Sequence, residues 1–165
     1  MRVLVEARGV ADDVFLSVNT AGKALGVSGA FVTGSADAIE LLIQRARPFI
    51  FSTAPPPAVA AALDAALDVI AAEPERRECL HARSRYLRAR LGVPGESQII
   101  PILVGENERA TRVAAEIQAA GFDVRAIRPP TVPEGTARLR VSVNCELNEE
   151  TLDRFAEVLD RALGK

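Results

Sequence analysis

The last third of the chain constrains its fold most, because from Gln98 onward the pattern reads strand, helix, strand, strand, helix. Gln98–Val104 is a mostly apolar run of strand length. Asn107 suits the N-cap of a helix carrying Val113 and Ile117, and Gly121 suits its C-terminal end. Asp123–Arg128 reads as the next strand, and Pro129, Pro130 and Pro133 as a stiff loop. Ala137–Val143 alternates, with Leu139, Val141 and Val143 facing one way and Arg138, Arg140 and Ser142 the other. Asn148 is placed to cap a closing helix whose stripe is Leu152, Phe155, Val158, Leu159, Ala162 and Leu163. A β-α-β-β-α order lays helices on one face of a small sheet, so the fold class is α/β with an α+β C-terminal part.

Upstream the composition differs. Residues 1–55 are rich in glycine, small residues and β-formers. Val14–Val18 and Ala30–Thr33 read as short strands around the small-residue loop Asn19–Gly29, and Ala36–Arg45 has helical spacing. Pro48–Thr53 reads as extended, its continuous apolar run Phe49–Phe51 implying burial on both faces. After A-P-P-P, Val59, Leu63, Leu67 and Ile70 recur at helical spacing. Pro74 breaks that helix, a more charged one runs from about Glu75 to Leu91, and Gly92–Gly95 is a turn. Three regions result: 1–55, connecting helices over 56–92, and a small α/β domain over 93–165.

With 48% hydrophobic residues the chain can build a core, and its net charge of -2, with signs interspersed, gives no reason to expect nucleic acid or an anionic membrane as partner. Apolar runs are too short and broken to span a bilayer. Glu6 and Arg8 within the opening M-R-V-L-V-E-A-R-G-V argue against a signal peptide. Cys79 and Cys145 lie far apart in sequence without C-x-x-C spacing, which suits a reduced, cytoplasmic protein with structural cysteines. His81, the one histidine, reads as a surface residue, and no metal site can be argued.

Four groups could carry chemistry. Lys23 is flanked by Gly22 and Ala24, with Gly26, Ser28 and Gly29 following. Small neighbours let a ligand approach the backbone, and a lysine amine can condense with a carbonyl. A solvated lysine in a glycine-rich turn is the plainer reading. Ser52 and Thr53 precede a helix start, where an anion can bind, or they are an ordinary cap. Arg140, in mid-strand on the polar face, is a rigidly mounted fork suited to a carboxylate, or part of a solvated sheet face. Arg128 precedes P-P-T-V-P, a loop stiff enough to fix its direction, or it is a surface arginine.

The stretch T-A-G-K-A-L-G-V-S-G-A-F-V resembles the lysine loop of the α-oxoamine synthases, whose pattern is T-x-G-K-x-x-G. R-A-R-P-F-I-F-S-T-A-P-P-P and A-I-R-P-P-T-V-P-E-G-T-A-R-L-R-V-S-V resemble two later segments of that family, in the same order. Within it the chain is most similar to the 8-amino-7-oxononanoate synthase branch, from about Val14 to the C-terminus. The resemblance implies a fold-type-I pyridoxal-phosphate transferase acting as a homodimer, condensing alanine with pimeloyl-CoA in biotin synthesis. It implies that Lys23 links the cofactor and shuttles a proton, and that Thr20 touches the cofactor phosphate. Ser52 and Thr53 would reach the phosphate held by the neighbouring subunit. Arg140 would hold the amino-acid carboxylate, and Arg128 would lie near substrate. The family's ring-stacking histidine, and the aspartate that pairs with the pyridine nitrogen, belong to a region upstream of the 22 residues that precede Lys23. The chain is therefore expected to be a C-terminal portion that binds pyridoxal phosphate weakly and is inactive without an N-terminal half. Other readings are a non-catalytic, self-associating interaction module and a glycine C-acetyltransferase-like sister activity.

Overall fold

The computed structural model describes residue 5 and residues 8–164. Most of the opening stretch read above as too charged for a signal peptide lies outside the described residues. The chain divides into two units, residues 1–74 and 75–165.

The first unit is organised by an antiparallel hairpin, β1 (Leu16–Thr20) and β2 (Ala30–Gly34), with Leu16 opposite Gly34 and Thr20 opposite Ala30. Helix α1 (Ala36–Arg45) follows directly. Its N-cap Ser35 accepts the Ala38 N–H at 3.3 Å, and Asp37 and Arg45 sit at the ends where the helix dipole favours their charges. The segment Pro48–Phe51 is not a strand. Arg47–Ile50 forms a single helical turn, α2, with Pro48 in its first turn, where the missing N–H costs nothing. Phe49 and Phe51 are 66% and 76% exposed, so the apolar run marks a surface rather than a doubly covered strand. Helix α3 (Pro57–Ala72) starts on proline, and Val59, Leu63, Leu67 and Ile70 form its half-buried stripe.

The second unit begins with α4 (Glu75–Leu91) and contains a three-stranded antiparallel sheet of β3 (Ile99–Gly105), β4 (Arg125–Ile127) and β5 (Ala137–Ser142) in the order β3-β5-β4. Because β5 lies between them, β3 and β4 run parallel and are joined through α5 (Asn107–Ala119), a split β-α-β arrangement. Helix α6 (Glu149–Leu163) closes the unit. Ile100 and Ile102 of β3 and Leu139 and Val141 of β5 turn inward and share one core with Val113, Ile117, Leu152, Phe155 and Leu159 of α5 and α6. Leu87 of α4 completes that core. Asn148 caps α6, its side chain accepting the Thr151 N–H at 2.9 Å. Asn107 does not cap α5: Glu106 is the flanking residue, and Asn107 is the first residue inside the helix. At the other end of α5, the Gly121 N–H reaches Gln118 and the Phe122 N–H reaches Ile117, the paired bonds of a Schellman ending.

Candidate functional site

Lys23 stands at the tip of the β1–β2 connection. Residues 21–29 could be a floppy loop, but the backbone ties them down. The Ala21 N–H donates to the Gly29 carbonyl at 2.9 Å, and the Val27 N–H returns to the Ala21 carbonyl at 3.1 Å. Inside that ring the Gly26 N–H donates to the Lys23 carbonyl at 3.0 Å, closing a four-residue turn that begins on the lysine. Gly26 and Gly29 hold φ of +65° and +95°, which other residues adopt only under strain. Ala21 and Leu25 are buried beneath the loop, whereas Lys23 is exposed. The Lys23 side chain makes no hydrogen bond or ion pair among the described residues, and the space around Gly22 and Gly26 is open. The result is a free amine on an anchored mount. The chain contains two lysines, Lys23 and Lys165, so nearly all of its positive charge is arginine.

Thr20, the last residue of β1, is exposed on the same hairpin. Ser52 and Thr53 follow α2 and are exposed, and the Ser52 hydroxyl donates back to the Pro48 carbonyl. A cleft of about 690 Å³ opens beside the hairpin, lined by Asp12, Phe15, Asn19, Phe31, Thr33 and Leu67 among others. Neither Thr20 nor Lys23 lines it.

In the second unit, Arg140 lies in the middle of β5, the central strand, on the face turned away from the core. Its register partners are Pro101 on one side and Arg125 on the other. Arg125 is paired with Asp123 at 2.9 Å, whereas Arg140 has no ion-pair partner among the described residues. Arg138 shares the outer face and donates its Nε–H to the Thr136 carbonyl at 3.0 Å. Arg128 is exposed where β4 gives way to the loop, and its carbonyl accepts the Thr131 N–H at 3.0 Å. Thr20 and Lys23 thus share one hairpin, and Arg128 and Arg140 belong to one sheet unit.

Sequence reading missed Arg88. It is 5% exposed on α4, and its guanidinium donates to the carbonyls of Pro94, Ser97 and Ile99, the Ser97 contacts being 2.8 and 3.0 Å. The signal was there: Leu80, Ser84, Leu87, Arg88 and Leu91 fall on one helical stripe. Also missed was the meeting of Cys79 and Cys145, which no local pattern announces.

The profile of the family described as aminotransferase class I and II matches residues 3–159. The chain belongs to this family. An 8-amino-7-oxononanoate synthase from Anaeromyxobacter dehalogenans is 48% identical over 167 residues, covering 97% of this chain and 42% of that protein. The chain therefore spans about two fifths of the length of the curated relatives it matches. Among solved structures, serine palmitoyltransferase from S. paucimobilis, determined with bound PLP and myriocin, superposes with a TM-score of 0.87 at 27% identity, over 99% of this chain and 44% of that one. An 8-amino-7-oxononanoate synthase from Francisella tularensis superposes with a TM-score of 0.78 at 24% identity, over 91% of this chain and 46% of that one, and this likeness speaks for the fold alone. The expected fold class is the one found: an aminotransferase class I and II fold, matched over a portion of longer relatives. Among the described residues no helix is long and apolar enough to cross a membrane.

Proposed function

We propose that this chain is the lysine-bearing portion of a pyridoxal-phosphate enzyme of the 8-amino-7-oxononanoate synthase type, which joins alanine to pimeloyl-CoA with loss of CO2. The single observation that carries the reading is Lys23, an unpartnered amine on a backbone-anchored loop, in a chain 48% identical over nearly its whole length to such a synthase. The donor set fits the group: one accessible amine for an aldehyde, exposed hydroxyls on Thr20, Ser52 and Thr53 for a phosphate, and an unpaired guanidinium on Arg140 for a carboxylate. When bound, pyridoxal phosphate supplies an electron sink for the carbanion at the amino-acid α-carbon.

The chain's own residues have separable tasks in this reading. Lys23 would hold the cofactor through its amine and would carry a proton to or from the substrate's α-carbon. Thr20 donates its hydroxyl proton to a phosphate oxygen, and Ser52 and Thr53 serve the phosphate held by a second subunit of a homodimer. Arg140 orients the amino-acid carboxylate through two parallel N–H donors, which a lysine at that position would not reproduce. Arg128 lies toward the substrate region. Residues 1–55 supply the cofactor contacts and residues 93–165 the carboxylate contact, with the remaining length of the relatives completing the enzyme. The 48% identity to an 8-amino-7-oxononanoate synthase, over nearly the whole of this chain, is what supports this acyl transfer.

The test is to incubate the chain with pyridoxal phosphate, reduce with borohydride and map the peptides. Reduction traps even a weakly populated linkage. Modification concentrated at Lys23 and lost in Lys23→Ala is the expected result. Equal labelling of Lys165 and the N-terminal amine, or none at Lys23, rejects the reading.

A further inference from the structure

Cys79 and Cys145 are 66 residues apart in sequence but adjacent in the second unit. Cys79 is in the second turn of α4, and Cys145 is in the loop between β5 and α6. The Cys79 sulfur lies 3.9 Å from the Cys145 carbonyl oxygen. The Cys145 sulfur lies 3.2 Å from the carbonyl oxygen of Arg76, one turn before Cys79. Each sulfur therefore rests on the backbone of the segment that carries the other. Side chains also join α4 to α6, the helix that follows the Cys145 loop: Tyr86 to Asp153 at 2.8 Å, Arg83 to Glu149 at 3.1 Å and Arg90 to Asp153 at 3.7 Å. Both cysteines are free thiols, Cys145 exposed and Cys79 half-buried.

We propose that Cys79 and Cys145 form an exchange-active dithiol, a covalent modification site that reacts with low-molecular-weight disulfides and closes to an intramolecular disulfide. The site belongs to the second unit and uses no residue assigned to the cofactor or substrate. The chemistry balances with a disulfide such as oxidised glutathione as the oxidant. The exposed Cys145 gives up its proton and attacks one glutathione sulfur, forming a mixed disulfide and releasing one glutathione thiolate. Cys79 then gives up its proton and attacks the Cys145 sulfur, forming the Cys79–Cys145 bond and releasing the second. Two protein thiols are oxidised by two electrons, and one glutathione disulfide is reduced to two thiols. Desolvation of the sulfur, then the neighbouring Cys79 thiol, push the Cys145 thiol up from its ordinary value, as expected where two sulfurs crowd together. That slows the first step at neutral pH and leaves the geometry of the second untouched. Once closed, the bond fastens the first turns of α4 to the loop before α6, and excess reduced glutathione reopens it.

The experiment titrates the whole chain, without denaturant, with mixtures of reduced and oxidised glutathione, followed by acid quench, thiol counting and intact mass. The expected result is loss of both thiols with a mass decrease of two hydrogens, and a Cys79–Cys145 peptide after digestion. Cys79→Ser should instead stop at a stable glutathione adduct on Cys145. Phenylarsine oxide, which bridges neighbouring thiols, should bind the wild-type chain and protect both cysteines from alkylation, but not the Cys79→Ser variant. Persistent glutathione adducts on the wild-type chain, disulfide-linked dimers, or unreacted thiols at excess oxidised glutathione would each overturn the proposal.

Discussion

Arg88 carries its charge into a site where its described partners are all backbone carbonyls. The Pro94 and Ser97 carbonyls belong to the turn between α4 and β3 and the Ile99 carbonyl to the first residue of β3, and one planar fork satisfies all three at once. A Cβ at Gly95 would stand 3.0 Å from the Arg88 Nη1, so the turn has been left bare where the guanidinium passes. Removing the arginine strips three carbonyls of a charged donor, and hydrogen bonds to a charged group contribute about 1.5–3 kcal/mol. Arg88→Met is therefore expected to lower unfolding stability by about 3 kcal/mol, read as a reduced urea midpoint with an unchanged slope. Arg88→Lys should recover little, because a single ammonium cannot span three acceptors. A loss below about 1 kcal/mol would mean that water takes over the carbonyls. Lys23 and Arg88 differ instructively in legibility. Lys23 announces itself through its run of small neighbours. Arg88 looks like one of many arginines in a charged helix until its place on the apolar stripe is counted.

Helices whose ends carry their own chemistry were readable. Ala36–Arg45 has a serine cap, an acidic first turn and a basic last turn, and its expected limits coincide with those observed. Pro48–Phe51 was not readable as a helix, because three consecutive apolar residues fit a buried strand as well as an exposed turn. Tertiary surroundings decide such a case, and here Pro48 falls in a helical first turn. The pairing of α4 with α6 likewise depends on residues far apart in sequence. Tyr86 donates its hydroxyl proton to Asp153 at 2.8 Å, and that hydrogen bond, followed by desolvation and the Asp153 charge, raises the tyrosine pKa. A raised folded-state pKa means the tie contributes fully below the ordinary tyrosine value of about 10, and is lost as pH climbs through the raised value. Tyr86→Phe should therefore melt below the wild type between pH 7 and 9. The gap should close above about pH 10, as the wild type alone acquires a phenolate beside a carboxylate. Thermal melts across that range decide it, and a gap that stays constant to high pH would show that the hydroxyl is not engaged with Asp153.

Across the whole molecule the buried apolar residues are unevenly shared. Ala21, Leu25 and Ala38 are the buried apolar residues described in residues 1–74. The contiguous core of Leu87, Ile100, Ile117, Leu139, Leu152, Phe155 and Leu159 belongs entirely to residues 75–165. The first unit instead exposes Phe15 at 71% and Val18 at 69%, alongside Phe49 and Phe51. Stability follows burial, so the second unit should be an autonomous folding unit and the first should not. The β-α-β-β-α order made the second unit legible, since its alternating and helical stripes converge on one core. In the first unit the local patterns could be read but not what covers them, because no three-residue run encodes a distant partner. A fragment of residues 75–165 is expected to show native-like circular dichroism and one cooperative thermal transition, with a Tm within about 5 °C of the main transition of the full chain. Residues 1–74 expressed alone should show no cooperative transition and should self-associate in sedimentation. If the isolated 75–165 fragment melts without cooperativity, its core depends on the preceding residues, and the division of the chain at Pro74 is not a division of stability.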